Sequence, residues 1–152
     1  MGTHYKGTNE EITALNTYIK LVRAVNSLNS RLNENLKKLK LTESQFGVLE
    51  ALFHIGPLNQ RELGSKLLKT GGNITMVVDN LEKRGLVKRE RGKKDRRFFT
   101  VNLTSKGREL VEKIFPSHLA AIVNEMKNLQ PQDQLQLQKY CKIIGLYGNT
   151  KN

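Results

Sequence analysis

One cysteine in 152 residues rules out an intrachain disulfide. A lone thiol suits a reducing compartment, so the cytoplasm is the expected location. No run of about 18 apolar residues occurs, and no membrane-spanning helix is expected. Residues 1–11 lack the apolar segment of a secretory signal, and Met1-Gly2 is not followed by the Ser or Thr of an acylation signal. The three histidines, His4, His54 and His118, share no metal-ligand spacing. No Ser/His/Asp set, paired carboxylates or glycine-rich phosphate loop stands out, so no enzyme activity, metal or cofactor is expected. Internal repeats and low-complexity linkers are missing too.

Acidic residues are scarce. Fourteen Asp and Glu face 26 Lys and Arg, a net charge of +12 and a pI near 10.0. That balance favours a polyanionic partner: nucleic acid first, an anionic membrane surface second. The excess is concentrated. Residues 83–108 carry eleven Lys and Arg against Glu90 and Asp95, a local net of about +9. Such a cluster opposes folding by self-repulsion unless a polyanion is the partner. The length fits one domain with a sizeable core.

The informative stretch runs from Leu58 to Leu103. Asn59 and Glu62 have the spacing of a reciprocal helix cap, flanked by Leu58 and Leu63 as a hydrophobic staple. Thr70-Gly71-Gly72 marks a turn. A second helix is expected from about Gly72 to Arg84, ending at Gly85. Ile74, Val77, Val78 and Leu81 recur at i, i+3, i+4 and i+7 and form its buried stripe. Asn73, Thr75, Met76, Asp79, Asn80 and Lys83 share the other face. Small and polar residues at its exposed N-terminal end, Gly72, Asn73 and Thr75, suit entry into a major groove. The period then changes to two. Leu86–Arg91 and Arg97–Leu103 read as strands, with Phe99, Val101 and Leu103 on one face. Between them Gly92-Lys93-Lys94-Asp95-Arg96 is a turn too charged to bury.

Long helical patterns lie on either side. From Glu10 to Lys40 one apolar stripe (Ile12, Leu15, Ile19, Val22, Val25, Leu28, Leu32, Leu36, Leu39) predicts a single helix of about 40 Å. Asn26, Asn29, Asn33 and Asn35 lower its propensity, so packing must stabilise it. Thr42 and Gln45 cap a second helix whose inner face is Phe46, Leu49, Leu52 and Phe53, ending at Gly56-Pro57 with His54 as a C-terminal capping group. Thr104 caps a helix over about Ser105–Asn128, which Pro116 should kink or interrupt near Phe115. Pro131 starts a last helix that reaches about Tyr147. Its apolar side holds Leu135, Leu137, Tyr140, Ile144 and Cys141, the last read as a packed small hydrophobe.

The order helix, turn, helix, strand, basic wing, strand resembles the winged helix-turn-helix of the MarR family of transcription regulators. The resemblance rests on NLEKRGLVKRE (Asn80 to Glu90) and DRRFFTVNLTSKG (Asp95 to Gly107). The second run holds the family's Asp-x-Arg wing signature, Asp95 and Arg97, and its Leu-Thr-x-x-Gly, Leu103, Thr104 and Gly107. The resemblance implies a mainly α fold with a small β-wing, flanked by long N- and C-terminal dimerisation helices. It implies a flexible start over 1–9 and one domain over 10–147. Within that domain lie a winged core of about 42–108, a helix-turn-helix of about 59–84, a wing of about 86–103, and dimer helices of about 10–40 and 105–147. The implied function is sequence-specific binding of double-stranded DNA by a homodimeric repressor on a palindromic operator, released by a small-molecule effector, often aromatic in this family. The expected DNA contacts are Gly72, Asn73, Thr75, Met76 and Asn80 on the recognition helix and Lys93, Lys94, Asp95, Arg96 and Arg97 in the wing. Phe46, Leu49, Phe53 and the facing stripe of the first helix are candidates to line an effector cleft, with core packing the favoured role of each, so effector residues stay unassigned. Peroxide-sensing relatives carry a reactive Cys in the first helix; none occurs here, which argues against that branch. The alternative is a basic architectural DNA binder without sequence preference.

Overall fold

The computed structural model describes residues 2–67, 71–92 and 98–146. Lys93, Lys94, Asp95, Arg96 and Arg97 of the expected wing lie outside the described residues, as do Thr70 and Tyr147. The chain divides into two compact units, Met1–Pro116 and Ser117–Asn152.

Helix α1 spans Asn9–Leu32 and begins with a reciprocal cap. Thr8 Oγ1 accepts the Glu11 N–H at 3.2 Å and Glu11 Oε2 accepts the Thr8 N–H at 2.8 Å. Upstream, the Thr3 N–H donates to Asn16 Oδ1 at 2.8 Å. The single helix expected to Lys40 does not form. A turn at Asn33 separates α1 from a short α2, Glu34–Lys38. The reason is a change of environment along the stripe. No residue of α1 is buried, whereas Leu36 of α2 sits inside the core. Asn33 supports the break by donating its amide to Glu43 Oε2 at 3.3 Å.

Helix α2 closes with paired 6→1 and 5→2 hydrogen bonds. The Leu41 N–H reaches the Leu36 carbonyl at 3.0 Å and the Lys40 N–H reaches that of Lys37 at 2.9 Å. Lys40 takes the left-handed position usually held by glycine, with φ of 53°. Burial of Leu36 and Leu41 on either side of the turn offsets that cost.

The Thr42–Gln45 cap starts α3, Glu43–Ile55, as expected. Phe46, Val48, Leu49 and Leu52 are buried and Phe53 is half-buried. A strand not foreseen in the sequence follows: β1, Leu58–Asn59. Helices α4, Gln60–Leu67, and α5, Gly71–Lys83, then precede the hairpin of β2, Val87–Arg91, and β3, Phe99–Leu103. The antiparallel sheet has the order β1-β3-β2, with Leu58 opposite Val101 and Arg89 also opposite Val101. Two residues cannot be recognised as a strand by period; Leu58 and Asn59 are recruited by the free edge of β3.

The core of the first unit gathers Leu49, Leu63, Ile74, Val78, Leu81, Val101 and Val111, all essentially inaccessible. The four-residue stripe of α5 is buried throughout, as its spacing requires. Of Phe99, Val101 and Leu103, only Val101 is buried. Phe99 lies beyond the edge of the core, toward the hairpin tip, and is 48% exposed.

Helix α6, Ser105–Met126, continues through Pro116. The expected interruption is absent: the carbonyl of Glu112, which Pro116 cannot satisfy, belongs to an exposed residue, where losing one helical hydrogen bond costs least. Helix α7 spans Pro131–Leu146. Its apolar residues are not packed: Leu135, Tyr140, Ile143 and Ile144 are each more than half exposed. Cys141 is exposed with them, correcting the expectation of a packed thiol. Helical spacing sets an apolar face, but that face is buried only where another surface covers it.

Candidate nucleic-acid interface

The exposed face of α5 is oriented by the junction that ends the helix. Gly85, with φ of 68°, reverses the chain. The Gly85 N–H reaches the Glu82 carbonyl at 2.9 Å and the Leu86 N–H reaches that of Leu81 at 3.0 Å. The Leu-Thr-x-x-Gly signature locks onto this turn. Thr104 Oγ1 donates to the Gly85 carbonyl at 2.7 Å and accepts the Gly107 N–H at 3.1 Å. The Thr104 N–H donates to the Leu86 carbonyl at 3.1 Å. A Cβ on Gly107 would overlap that same carbonyl oxygen, so only glycine lets α6 approach this closely. Arg84 extends the junction to the end of α2, donating to the carbonyls of Lys40 at 2.7 Å and Leu39 at 3.3 Å. Lys106 Nζ reaches the Arg84 carbonyl at 3.0 Å.

On the held helix, Gly72, Asn73, Thr75, Met76 and Asn80 are all exposed, and Met76 is 61% exposed. Among the described residues outside its own helix, nothing lies within 4 Å of a Cβ built on Gly72, so the backbone there is open to a close-approaching partner. Two polar residues of this face are not simply surface groups. Thr75 donates its hydroxyl to the Gly71 carbonyl at 3.0 Å and accepts from Gln60 Nε2 at 2.9 Å. Asp79 is ion-paired with Arg89, which also binds Glu82.

Arg89 therefore does not belong to the free positive charge of the hairpin. Period two puts it on the inward side of β2 with Val87, and its side chain is only 21% exposed. Burial alone would lower its pKa, but the hydrogen bonds to Asp79 and Glu82 outweigh that and raise it. A cation whose folded-state pKa is raised contributes stability at every pH below its unfolded value, so this contribution is constant through the working range. Asp79 and Glu82 lie outside the 83–108 count and offset Arg89, so self-repulsion in the basic segment is smaller than that count suggests; Lys88 pairs with Glu90 at 2.6 Å, and Arg84 and Lys106 bond inward to carbonyls. Arg89→Ala leaves two neighbouring carboxylates without their cation. Because both are partly exposed, the expected loss is about 1–2 kcal/mol in a urea melt. A shift within a few tenths of a kcal/mol would show that water replaces the guanidinium.

At the base of the hairpin Phe98 is exposed and the Arg91 guanidinium lies 5.9 Å from the Phe99 ring centre. The Gly92 N–H donates to the Phe98 carbonyl at 2.8 Å, closing the described part of the hairpin. Elsewhere, Phe46 and Leu49 are core residues, and Phe53 lies under the Arg108 guanidinium at 5.3 Å. His54 packs its ring edge-on to Phe53 and Phe115, with centroids 5.1 and 4.7 Å away. The sequence reading missed Gln60, Arg84 and Arg89 as organisers of the face. Only Arg89 left a signal, through its alternation with Val87.

No helix of the described residues is long and apolar enough to cross a membrane. A model of the MarR family matches residues 41–98. The chain is 36% identical over 134 residues to a Bacillus subtilis protein named as the uncharacterized HTH-type transcriptional regulator YkoM, covering 88% of this chain and 87% of that one. It is also 36% identical over 134 residues to the HTH-type transcriptional regulator MhqR of Bacillus subtilis, covering 88% and 92%. The structure of Sco3205, a MarR family transcriptional regulator from Streptomyces coelicolor in complex with DNA, shares the fold, with a TM-score of 0.82 at 23% identity over 95% of this chain and 92% of that one. Junction, exposed helix face and relatives agree: the chain belongs to the MarR family of winged helix-turn-helix regulators, a DNA-binding transcription regulator and not an enzyme.

Proposed function

We propose that the protein is a cytoplasmic repressor that binds a palindromic operator as a homodimer and leaves it when a small-molecule effector binds. The observation that carries this reading is the exposed, mostly polar N-terminal half of α5, a helix anchored at its other end by the Gly85–Thr104 junction and followed in sequence by a strongly basic segment. Gly72, Asn73, Thr75, Met76 and Asn80 meet base edges in the major groove. Lys93, Lys94 and Arg96 meet phosphates, and Arg97, held by Asp95, enters the adjacent minor groove. Sco3205 in complex with DNA supports DNA as the partner of this fold. Selection of bound sites from random DNA tests the reading. A two-fold repeat with centres about one helical turn apart is expected; equal recovery of all sequences would favour the architectural alternative.

The exposed apolar residues of α1, such as Val22 and Val25, and those of α7 support the dimer. In this reading 10–40 and 105–147 supply its interface, and 42–108 carries the DNA face. Sedimentation at micromolar concentration should give about twice the chain mass; a clean monomer would contradict the proposal. Effector release rests on the family resemblance, and its pocket is left unassigned.

A further inference from the structure

We propose that Thr75 reads a thymine through its methyl group and that Gln60 is the positioning residue that makes it do so. The inference deepens the proposed operator recognition and rests on that reading. Arg89 Nε donates to Gln60 Oε1 at 3.1 Å. A guanidinium has no acceptor, so Gln60 must turn its oxygen to Arg89 and its amide nitrogen outward. That nitrogen donates to Thr75 Oγ1 at 2.9 Å. The single proton of the Thr75 hydroxyl goes to the Gly71 carbonyl at 3.0 Å, one turn back along α5.

The consequence is chemical. A hydroxyl has one proton and two lone pairs. In Thr75 the proton and one lone pair are spent, so this side chain does not donate to purine N7, guanine O6 or thymine O4. Thr75 is nonetheless exposed on the DNA-facing helix and lines a cleft of about 460 Å³ between α4 and α5 with Gln60, Arg61 and Ser65. What remains is one lone pair, which can only accept, and a methyl group with no hydrogen-bonding duty, which is the part free to make an apolar contact with a base. The one apolar group that base pairs show in the major groove is the thymine C5-methyl. Arg89 is in turn held by Asp79 and Glu82, so the orientation of Thr75 is tied to the ion pairs that join α5 to β2.

The test begins with the sequence selected from random DNA. Its thymines are replaced singly by deoxyuridine, which lacks only the methyl group, and affinity is measured for the full-length parent, Thr75→Ser and Thr75→Val. One thymine in each half-site should lose about fourfold in affinity on replacement, the worth of one buried methyl group. That penalty should vanish in Thr75→Ser, which keeps the hydroxyl, and persist in Thr75→Val, which keeps a methyl group. Gln60→Met should shrink the penalty by releasing the Thr75 rotamer. If Thr75→Val fails to fold by circular dichroism, the parent and the Ser variant decide alone. A scan in which no thymine matters, or a penalty that survives in Thr75→Ser, overturns the inference while leaving operator recognition intact. So would discrimination at an adenine or cytosine that is kept by Ser and lost by Val, because the remaining lone pair would then be the reader. Failure to select any sequence would overturn both this inference and the reading on which it rests.

Discussion

Gly107→Ala should destabilise the protein by about 2–3 kcal/mol, although alanine is the better helix former. Two effects of opposite sign compete. Replacing glycine by alanine within a helix gains up to about 1 kcal/mol. Against that, the new Cβ would overlap the carbonyl oxygen of Leu86, which is backbone and accepts the Thr104 N–H. Forced overpacking costs about 1–3 kcal/mol or more, and separating α6 from the turn also weakens the bonds of Thr104 to Gly85 and Leu86. Overlap with a fixed carbonyl therefore wins. Gly72→Ala is the matching control, since nothing lies within 4 Å of its Cβ; it should raise stability by up to about 1 kcal/mol. Urea unfolding of both variants checks the pair. If Gly107→Ala were as stable as the parent, the junction would have room to slide and would not set the angle of α5.

Arg97→Ala should give the largest loss in DNA binding, about 10- to 100-fold, and should erase any preference for A·T pairs flanking the major-groove contacts. A narrow A·T-rich minor groove concentrates negative potential, and arginine is favoured there because a guanidinium is less strongly hydrated than an ammonium. Asp95 stands two residues away, so on extended backbone the two share a side. Lys94→Ala, by contrast, should weaken all sequences alike and lower the salt slope by about one. Asp95→Ala separates positioning from charge. Removing an acid near DNA tightens binding if only Coulomb attraction acts, and weakens it if Asp95 holds Arg97. Affinity at two salt concentrations decides; tighter binding at both would refute the role given to Asp95.

Most of the secondary structure was legible because its signals are local. The stripe of Ile74, Val77, Val78 and Leu81, the caps at Thr42 and Asn59 and the stop at Gly85 each depend on residues a few positions apart. Sequence spacing therefore determined where α3, α4 and α5 lie, and to within a residue where α5 begins and ends. The signature from Asp95 to Gly107 identified the family, and the charge balance identified a polyanionic partner. The break at Asn33 was not legible, since the apolar stripe runs through it unchanged; only the core, by claiming Leu36 and nothing from α1, decides that the helix must turn. Cys141 shows the converse. Its stripe is apolar in sequence, yet the thiol is exposed, because spacing sets a face and burial needs a surface to cover it. The exposed face of α5 carries the same lesson. Thr75, Asp79 and Arg89 looked alike as polar or charged surface residues. Hydrogen bonds that close across 7 to 29 positions, from Arg89 to Glu82, Asp79 and Gln60, distinguish the residues that hold the helix. Local sequence determined the elements and their faces. Which polar atoms on those faces remain unspent is decided by tertiary contact, because a hydrogen bond is satisfied by whatever the fold brings within about 3 Å, not by what stands nearby in the chain.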